Sequence, residues 1–161
     1  MLHLTEKEAA DLGLIKRRKK ISKPVQATWD AKVESGRIWI NLPIPPSLNK
    51  WSRRHWSERS RQVTELSAAL SRLRIAFRIP KVERPRVQLI YYFATNRRRD
   101  PDNYMGKMIL DSLRHAEIIA DDNSKVLQLP QPEFRVDREK PRTEILITEW
   151  RAEIGAGTCI E

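Results

Sequence analysis

The chain has 161 residues, enough to bury the core of one ordinary domain, and its 31 Lys and Arg against 21 Asp and Glu give a formal charge of +10. Such a charge points to a polyanion as partner, nucleic acid first. There is no apolar run of about 18 residues, no signal peptide and no basic helix with a broad apolar face, so a soluble, cytoplasmic protein with no membrane association is expected; the lone Cys159 and the scattered His3, His55 and His115 exclude a disulfide framework and a zinc site, leaving oxygen to ligate any metal.

In chain order, Leu4–Leu14 reads as a short helix, with Thr5 and Glu8 at capping-box spacing and Gly13 as its stop. Lys16, Arg17, Arg18, Lys19 and Lys20 come after it, then a Pro- and Ser-containing stretch to about Ser35 without apolar periodicity, either a solvated linker or a basic arm that touches DNA. Residues 1–36 are therefore expected to form an extension, 37–151 the folded domain and 152–161 a frayed tail.

Arg37–Leu42 predicts a first strand, which Pro43, Pro45 and Pro46 end, and a loop is expected over Ile44–Trp56. Ser57 is placed to cap a helix from Glu58 to about Phe77, whose apolar stripe is Val63, Leu66, Ala69, Leu70, Leu73 and Phe77 and whose other face carries Arg59, Arg61, Arg72 and Arg74. A second strand over Val87–Ala94, a basic turn over Asn96–Arg99, a helix from about Asn103 to His115 and a short turn over Ile118–Asp122 come next. Val126–Leu129, Glu133–Asp137 and Thr143–Trp150 complete the strands. That order implies a single-domain α+β fold, a mixed sheet covered on one face by two main helices.

Arg97-Arg98-Arg99-Asp100-Pro101-Asp102-Asn103 lies where an apolar strand ends and a helix begins, with two carboxylates beside three guanidiniums. A hard divalent cation such as Mg²⁺ is held by one or two carboxylates plus waters and substrate phosphate oxygens, which two nearby Asp on a turn can supply. The plainer alternative has Asp102 or Asn103 capping the helix while Asp100 pairs with an arginine. Asp121-Asp122 lies about twenty residues further on; a helix of roughly 13 residues spans only about 20 Å, so its return could carry this pair back toward the first, although Asp-Asp-Asn-Ser is also ordinary turn chemistry. Lys107, one turn into the helix, can reach a phosphate or stay solvated.

The segment Pro45–Trp56 interleaves Trp51 and Trp56 with Asn49, Lys50, Arg53, Arg54 and His55, which suits phosphate neutralisation together with stacking on exposed bases. Both tryptophans could equally close the hydrophobic core.

These blocks resemble the RusA-type Holliday junction resolvases of bacteria and their phages. The likeness runs from about Arg37 to Trp150 and is carried by Leu42–Asn49, by Arg97–Asn103 with Lys107 and Asp111, and by Ile119–Asp122. It implies a homodimeric α+β nuclease that cuts branched DNA, four-way junctions above all, with Mg²⁺ or Mn²⁺. Asp100, Asp102 and Asp122 fall on the family's metal-binding catalytic aspartates, Lys107 on a lysine needed for cleavage, and Arg97 and Arg99 on junction-binding arginines. Two departures are visible. The family often leaves two residues between the Asn and the Lys, where Tyr104, Met105 and Gly106 make three here, and the basic N-terminal extension has no counterpart in its minimal members. The alternatives are a non-catalytic basic DNA-binding protein on the same fold and a nuclease that prefers flaps or forks.

Overall fold

Alternation of apolar with polar residues along two strands, and a nearly continuous apolar run along a third, give a sheet one wholly buried side. In the computed structural model, which describes residues 29–150, these strands are β2 (Arg37–Leu42), β5 (Arg142–Glu149) and β3 (Pro85–Phe93). Edge strands β1 (Asp30–Glu34) and β4 (Glu133–Val136) complete the order β1-β2-β5-β3-β4. Only β3 and β4 run parallel, so the sheet is mixed. Its register sets Ile38, Ile147 and Val87 in one row and Ile40, Ile145 and Leu89 in the next, all buried.

Among the described residues three α-helices accompany the sheet: α1 (Leu48–Ser52), α2 (Trp56–Ala76) and α3 (Lys107–His115). Leu66, Leu70 and Leu73 of α2 and Ile109, Leu110 and Leu113 of α3 share one core cluster with those strand rows, so the two longer helices cover the buried face. They meet at Ser112, a small buried side chain whose hydroxyl donates to the Met108 carbonyl at 2.7 Å and lies 3.4 Å from the Val63 carbonyl of α2. Each fully buried Leu or Ile contributes about 1.5–3 kcal/mol, whereas an exposed ion pair contributes about 0–1 kcal/mol. Packing, not charge pairing, therefore holds this α+β domain together. No α-helix among the described residues is long and apolar enough to cross a membrane.

Several expectations need correction. Residues 30–34 are not linker but an edge strand, joined to β2 through Ser35 and Gly36, both at positive φ (50° and 71°) as a two-residue hairpin turn requires. Ala31 is its one buried side chain, too little to leave a period-2 pattern. The expected loop after β2 contains the single turn α1, which carries Trp51 into the core. Helix α2 starts at Trp56, capped by His55 rather than Ser57: the His55 Nδ1 accepts from the Ser57 backbone N–H at 3.4 Å. Phe77, placed on the apolar stripe, is its exposed C-cap, because Arg78 turns left-handed (φ 51°) and sends Ile79 and Val82 into the core instead.

The expected helix from Asn103 is broken. Pro101–Tyr104 is a 3₁₀ turn, Gly106 takes φ 75°, and only then does α3 begin. Val126–Leu129 makes no strand; Gln128 alone bridges Arg86, with backbone bonds of 2.9 Å to Pro85 and Val87. Pro130 and Pro132 lack the N–H groups that would extend that ladder. The Leu4–Leu14 helix, the Lys16–Lys20 run and the tail after Arg151 lie outside the described residues.

A Cβ on Gly106 would stand 2.3 Å from Cδ1 of the buried Leu89, while one on Gly36 would meet nothing within 4 Å. Both positions are left-handed, so the two alanine variants share the conformational cost and differ by the clash. Gly106→Ala should lose about 1–3 kcal/mol more than Gly36→Ala in urea unfolding; equal losses would show that the Leu89 contact does not constrain the turn.

Candidate active site

Strand β3 delivers the chain to the edge of the helical layer, and beyond Phe93 the backbone enters a loop built by its own arginine. The Arg99 guanidinium lies 3.6 Å over the Phe93 ring and donates to the carbonyls of Thr95 (3.0 Å) and Arg97 (2.7 Å). Arg99 is thus occupied within the loop, while Arg97 and Arg98 are exposed.

Asp100 comes next in an extended conformation, and its Oδ1 accepts from the Asp102 backbone N–H at 3.3 Å. It caps the 3₁₀ turn that Pro101 opens. The plainer expectation, Asp102 or Asn103 as the cap and Asp100 paired with an arginine, is not met: Asp100 is the cap, and among the described residues neither Asp100 nor Asp102 forms an ion pair. Both are exposed, and Asn103 beside them is half-buried.

Tyr104 fixes the turn to the sheet. Its ring meets Tyr91, Phe93 and Phe134 at centroid distances of 5.3, 5.4 and 5.5 Å. Burial pushes the Tyr91 hydroxyl well above its ordinary pKa, with Tyr104 adding to the effect, so Tyr91 stays neutral and offers no anion to the site.

Lys107 opens α3 with an exposed ammonium 3.5 Å from the half-buried carboxylate of Asp111, one turn further along. Asp111 shares a sequence block with Lys107 but has no role assigned from the sequence; its i+4 spacing from Lys107 is the signal that marks it. Arg114 continues the same helix face and lies 3.7 Å from Asp122. A row of alternating charge, Lys107–Asp111 and Arg114–Asp122, therefore runs the length of α3.

Asp122 is placed beside the C-terminal end of α3. After His115 the chain reverses at Glu117 (φ 53°), and Ile118 and Ala120 bond to Val82, which leads into β3. Asp121-Asp122 thus emerges by Arg114 in the last turn of α3, with Asp100 and Asp102 before its first; the seven residues from Lys107 to Arg114 rise about 10 Å. Among the described residues no three His, Cys, Asp or Glu side chains stand together where they could hold a metal ion. Asp121 fills the expected turn role: the Asp122 backbone N–H at 2.8 Å, and then the Asn123 amide, hold its carboxyl below the usual range.

In the Pro45–Trp56 segment, Asn49, Lys50 and Arg53 are exposed, Arg54 is ion-paired to Glu58, and His55 is spent on its cap. The two tryptophans part company, Trp51 buried at 7% exposure and Trp56 open at 67%. Helix α1 packs beside the 3₁₀ turn, and a small cavity lies between Pro46, Trp51, Tyr104 and Lys107.

No family model and no curated protein matches this chain. Among solved structures, it is similar to the OmpA-like domain of FopA1 from Francisella tularensis subsp. tularensis SCHU S4, at a TM-score of 0.26 and 8% identity, over 78% of this chain and 83% of that one. So low a score decides nothing about fold or function.

Because the folded-state pKa of Asp121 is depressed, its contribution to stability is complete above the unfolded carboxylate value, about 3.9, and fades as pH falls through the lower folded value. Asp121→Ala should therefore lower the thermal midpoint at pH 7, and the gap to wild type should close toward pH 2. A gap of the same size at both pH values would mean that the turn does not depend on this carboxylate's charge.

Proposed function

We propose that this protein is a Mg²⁺-dependent endonuclease of the RusA type that cuts branched DNA, four-way junctions first, as a homodimer. One observation carries the proposal: beyond the end of β3, Asp100 and Asp102 sit two residues apart and form no ion pair among the described residues, although three arginines precede them. Carboxylates left open amid cations on a chain of charge +10 suit a task that needs both a cation and a polyanion.

The donor set fits Mg²⁺, with Mn²⁺ as a substitute: exposed oxygen donors, two of them close in sequence, on a turn fixed by aromatic packing. Asp100 and Asp102 would hold the ion, and Asp122 would join them only on leaving Arg114. Bound there, Mg²⁺ would supply an acidified water and neutralise charge on the attacked phosphate. Arg97 and Arg98 would dock flanking phosphates, with Lys50 and Arg53 of the α1 segment extending the track. Lys107, in a weak exposed pair with Asp111, exchanges that partner for a phosphate at little cost. A four-way junction is close to two-fold symmetric and needs matched nicks, which a C2 dimer with two identical sites provides most simply.

The pairing of Asp122 with Arg114 favours a second reading, a basic DNA-binding protein without catalysis. A labelled four-way junction, tested beside flaps and forks, separates the two. The nuclease should give paired nicks in Mg²⁺ or Mn²⁺ that EDTA suppresses, and Asp100→Asn and Asp102→Asn should each cut the rate roughly 100-fold or more while binding persists. Asp122→Asn should match them if Asp122 ligates and change little if it serves only Arg114. Salt-sensitive binding without nicks on any substrate would leave the non-catalytic protein. Affinity should fall by roughly 0.9 log units per log unit of salt for each duplex phosphate contacted; a flat response would dismiss the basic surface altogether.

A further inference from the structure

Between the start of α2 and the outer face of α3 lies an open cleft of about 300 Å³, lined by Trp51, Trp56, Arg59, Asp111, Arg114 and His115 among others. Trp51 is also a wall of the small cavity beside Tyr104 and Lys107, so the cleft adjoins the carboxylate turn without including it.

An exposed apolar side chain alone means little. Trp56, however, stands two-thirds exposed at a cleft where two guanidiniums and an imidazole face one carboxylate. Behind the cleft, two buried donors of its lining residues lack acceptors among the described residues. Trp51, buried at 7% exposure, has no partner for its indole Nε1, and Arg59, whose guanidinium lies 5.7 Å from the Trp51 ring centroid, has none for its Nε. Buried donors are seldom left unmet, and each is costly.

A nucleobase matches this set. It offers a flat face to Trp56 and an amino or imino N–H to Asp111, and its phosphate suits Arg59 or Arg114. The ion pairs Asp111 and Arg114 make with Lys107 and Asp122 are long, at 3.5 and 3.7 Å, and readily exchanged. We infer that this cleft receives one unpaired nucleotide of a DNA substrate, its base against Trp56 and its phosphate on the Arg59 and Arg114 side. A base stacked and paired inside a duplex cannot enter. The cleft would thus select branch points, bulges and gaps, and it rests on the DNA-binding part of the proposed function, not on cleavage.

The test uses the full chain in EDTA, so that nothing is cut, with a fluorescent duplex carrying one unpaired 2-aminopurine and a fully paired control. Trp56→Ala should weaken binding to the bulged duplex about tenfold, change the paired duplex by less than about twofold, and abolish the 2-aminopurine quenching given by wild type. Trp56→Phe, which keeps an aromatic face, should retain most of the affinity. Equal loss on both DNAs, no loss on either, or failure of wild type to bind the bulged duplex overturns the inference. Cleavage is assayed separately in Mg²⁺: wild type that binds the bulge through Trp56 and nicks nothing leaves the cleft standing while the nuclease falls. A junction-nicking protein whose Trp56→Ala variant loses affinity for both duplexes equally, or for neither, does the reverse.

Discussion

Tyr104 governs where the carboxylate turn sits. Its ring is held edge-on by Tyr91 and Phe93 of β3 and by Phe134 of β4, two strands brought together by the parallel pairing of Tyr91 with Phe134. Each such aromatic pair contributes about 0.5–1.5 kcal/mol beyond the area it buries. No ion pair of Asp100 or Asp102 competes with that among the described residues, so packing rather than charge anchors the carboxylates. Gly106 then completes the geometry. It turns left-handed against Leu89, where any side chain would collide, and thereby separates the 3₁₀ turn from α3.

The elements legible in the sequence are those whose burial is periodic. Ile38, Ile40 and Leu42 of β2, Ile145 and Ile147 of β5, and Val63, Leu66, Leu70 and Leu73 of α2 are all buried as their spacing predicts. Illegible elements are held by partners rather than by pattern. Strand β1 buries only Ala31 and exists because β2 offers an open edge. Helix α1 is a single turn, shorter than any helical period can reveal. Val126–Leu129 has strand-like residues, yet ladder formation needs backbone donors that the prolines after it cannot give. His55 capping α2 obeys the same logic: Ser57 has the right chemistry, but the chain enters the helix two residues earlier.

At the candidate site, the local turn was legible and the path of the chain after α3 was not. Two aspartates flanking a proline after an apolar strand announce a turn, and that turn is present. Where Asp122 goes depends on the backbone bonds of Ile118 and Ala120 to Val82, a contact between segments some thirty-six residues apart that no local pattern encodes. The two tryptophans also had equal standing as core lids or stacking faces. The structure buries Trp51 and leaves Trp56 exposed, because Trp51 falls on the inward side of α1 while Trp56 precedes the first buried turn of α2.

A crowd of cations beside two carboxylates would ordinarily neutralise them, and the reason it does not here lies in Arg99. Its guanidinium is satisfied by the Phe93 face and by carbonyls of its own loop, so it stiffens residues 95–99 and has little left to offer Asp100. At 4 Å in water, a bare attraction between unit charges is only about 1 kcal/mol, too weak to pull the side chain from contacts that are both stacked and hydrogen-bonded. Arg97 and Arg98, held by nothing comparable, remain exposed. The loop thus keeps positive charge near the turn, and among the described residues none of it is spent in an ion pair with the aspartates. Moving Arg99 onto Asp100 would undo both conditions at once, freeing the loop and closing the donor pair, which makes the Phe93–Arg99 stack the contact through which sheet packing sets the electrostatics of the site.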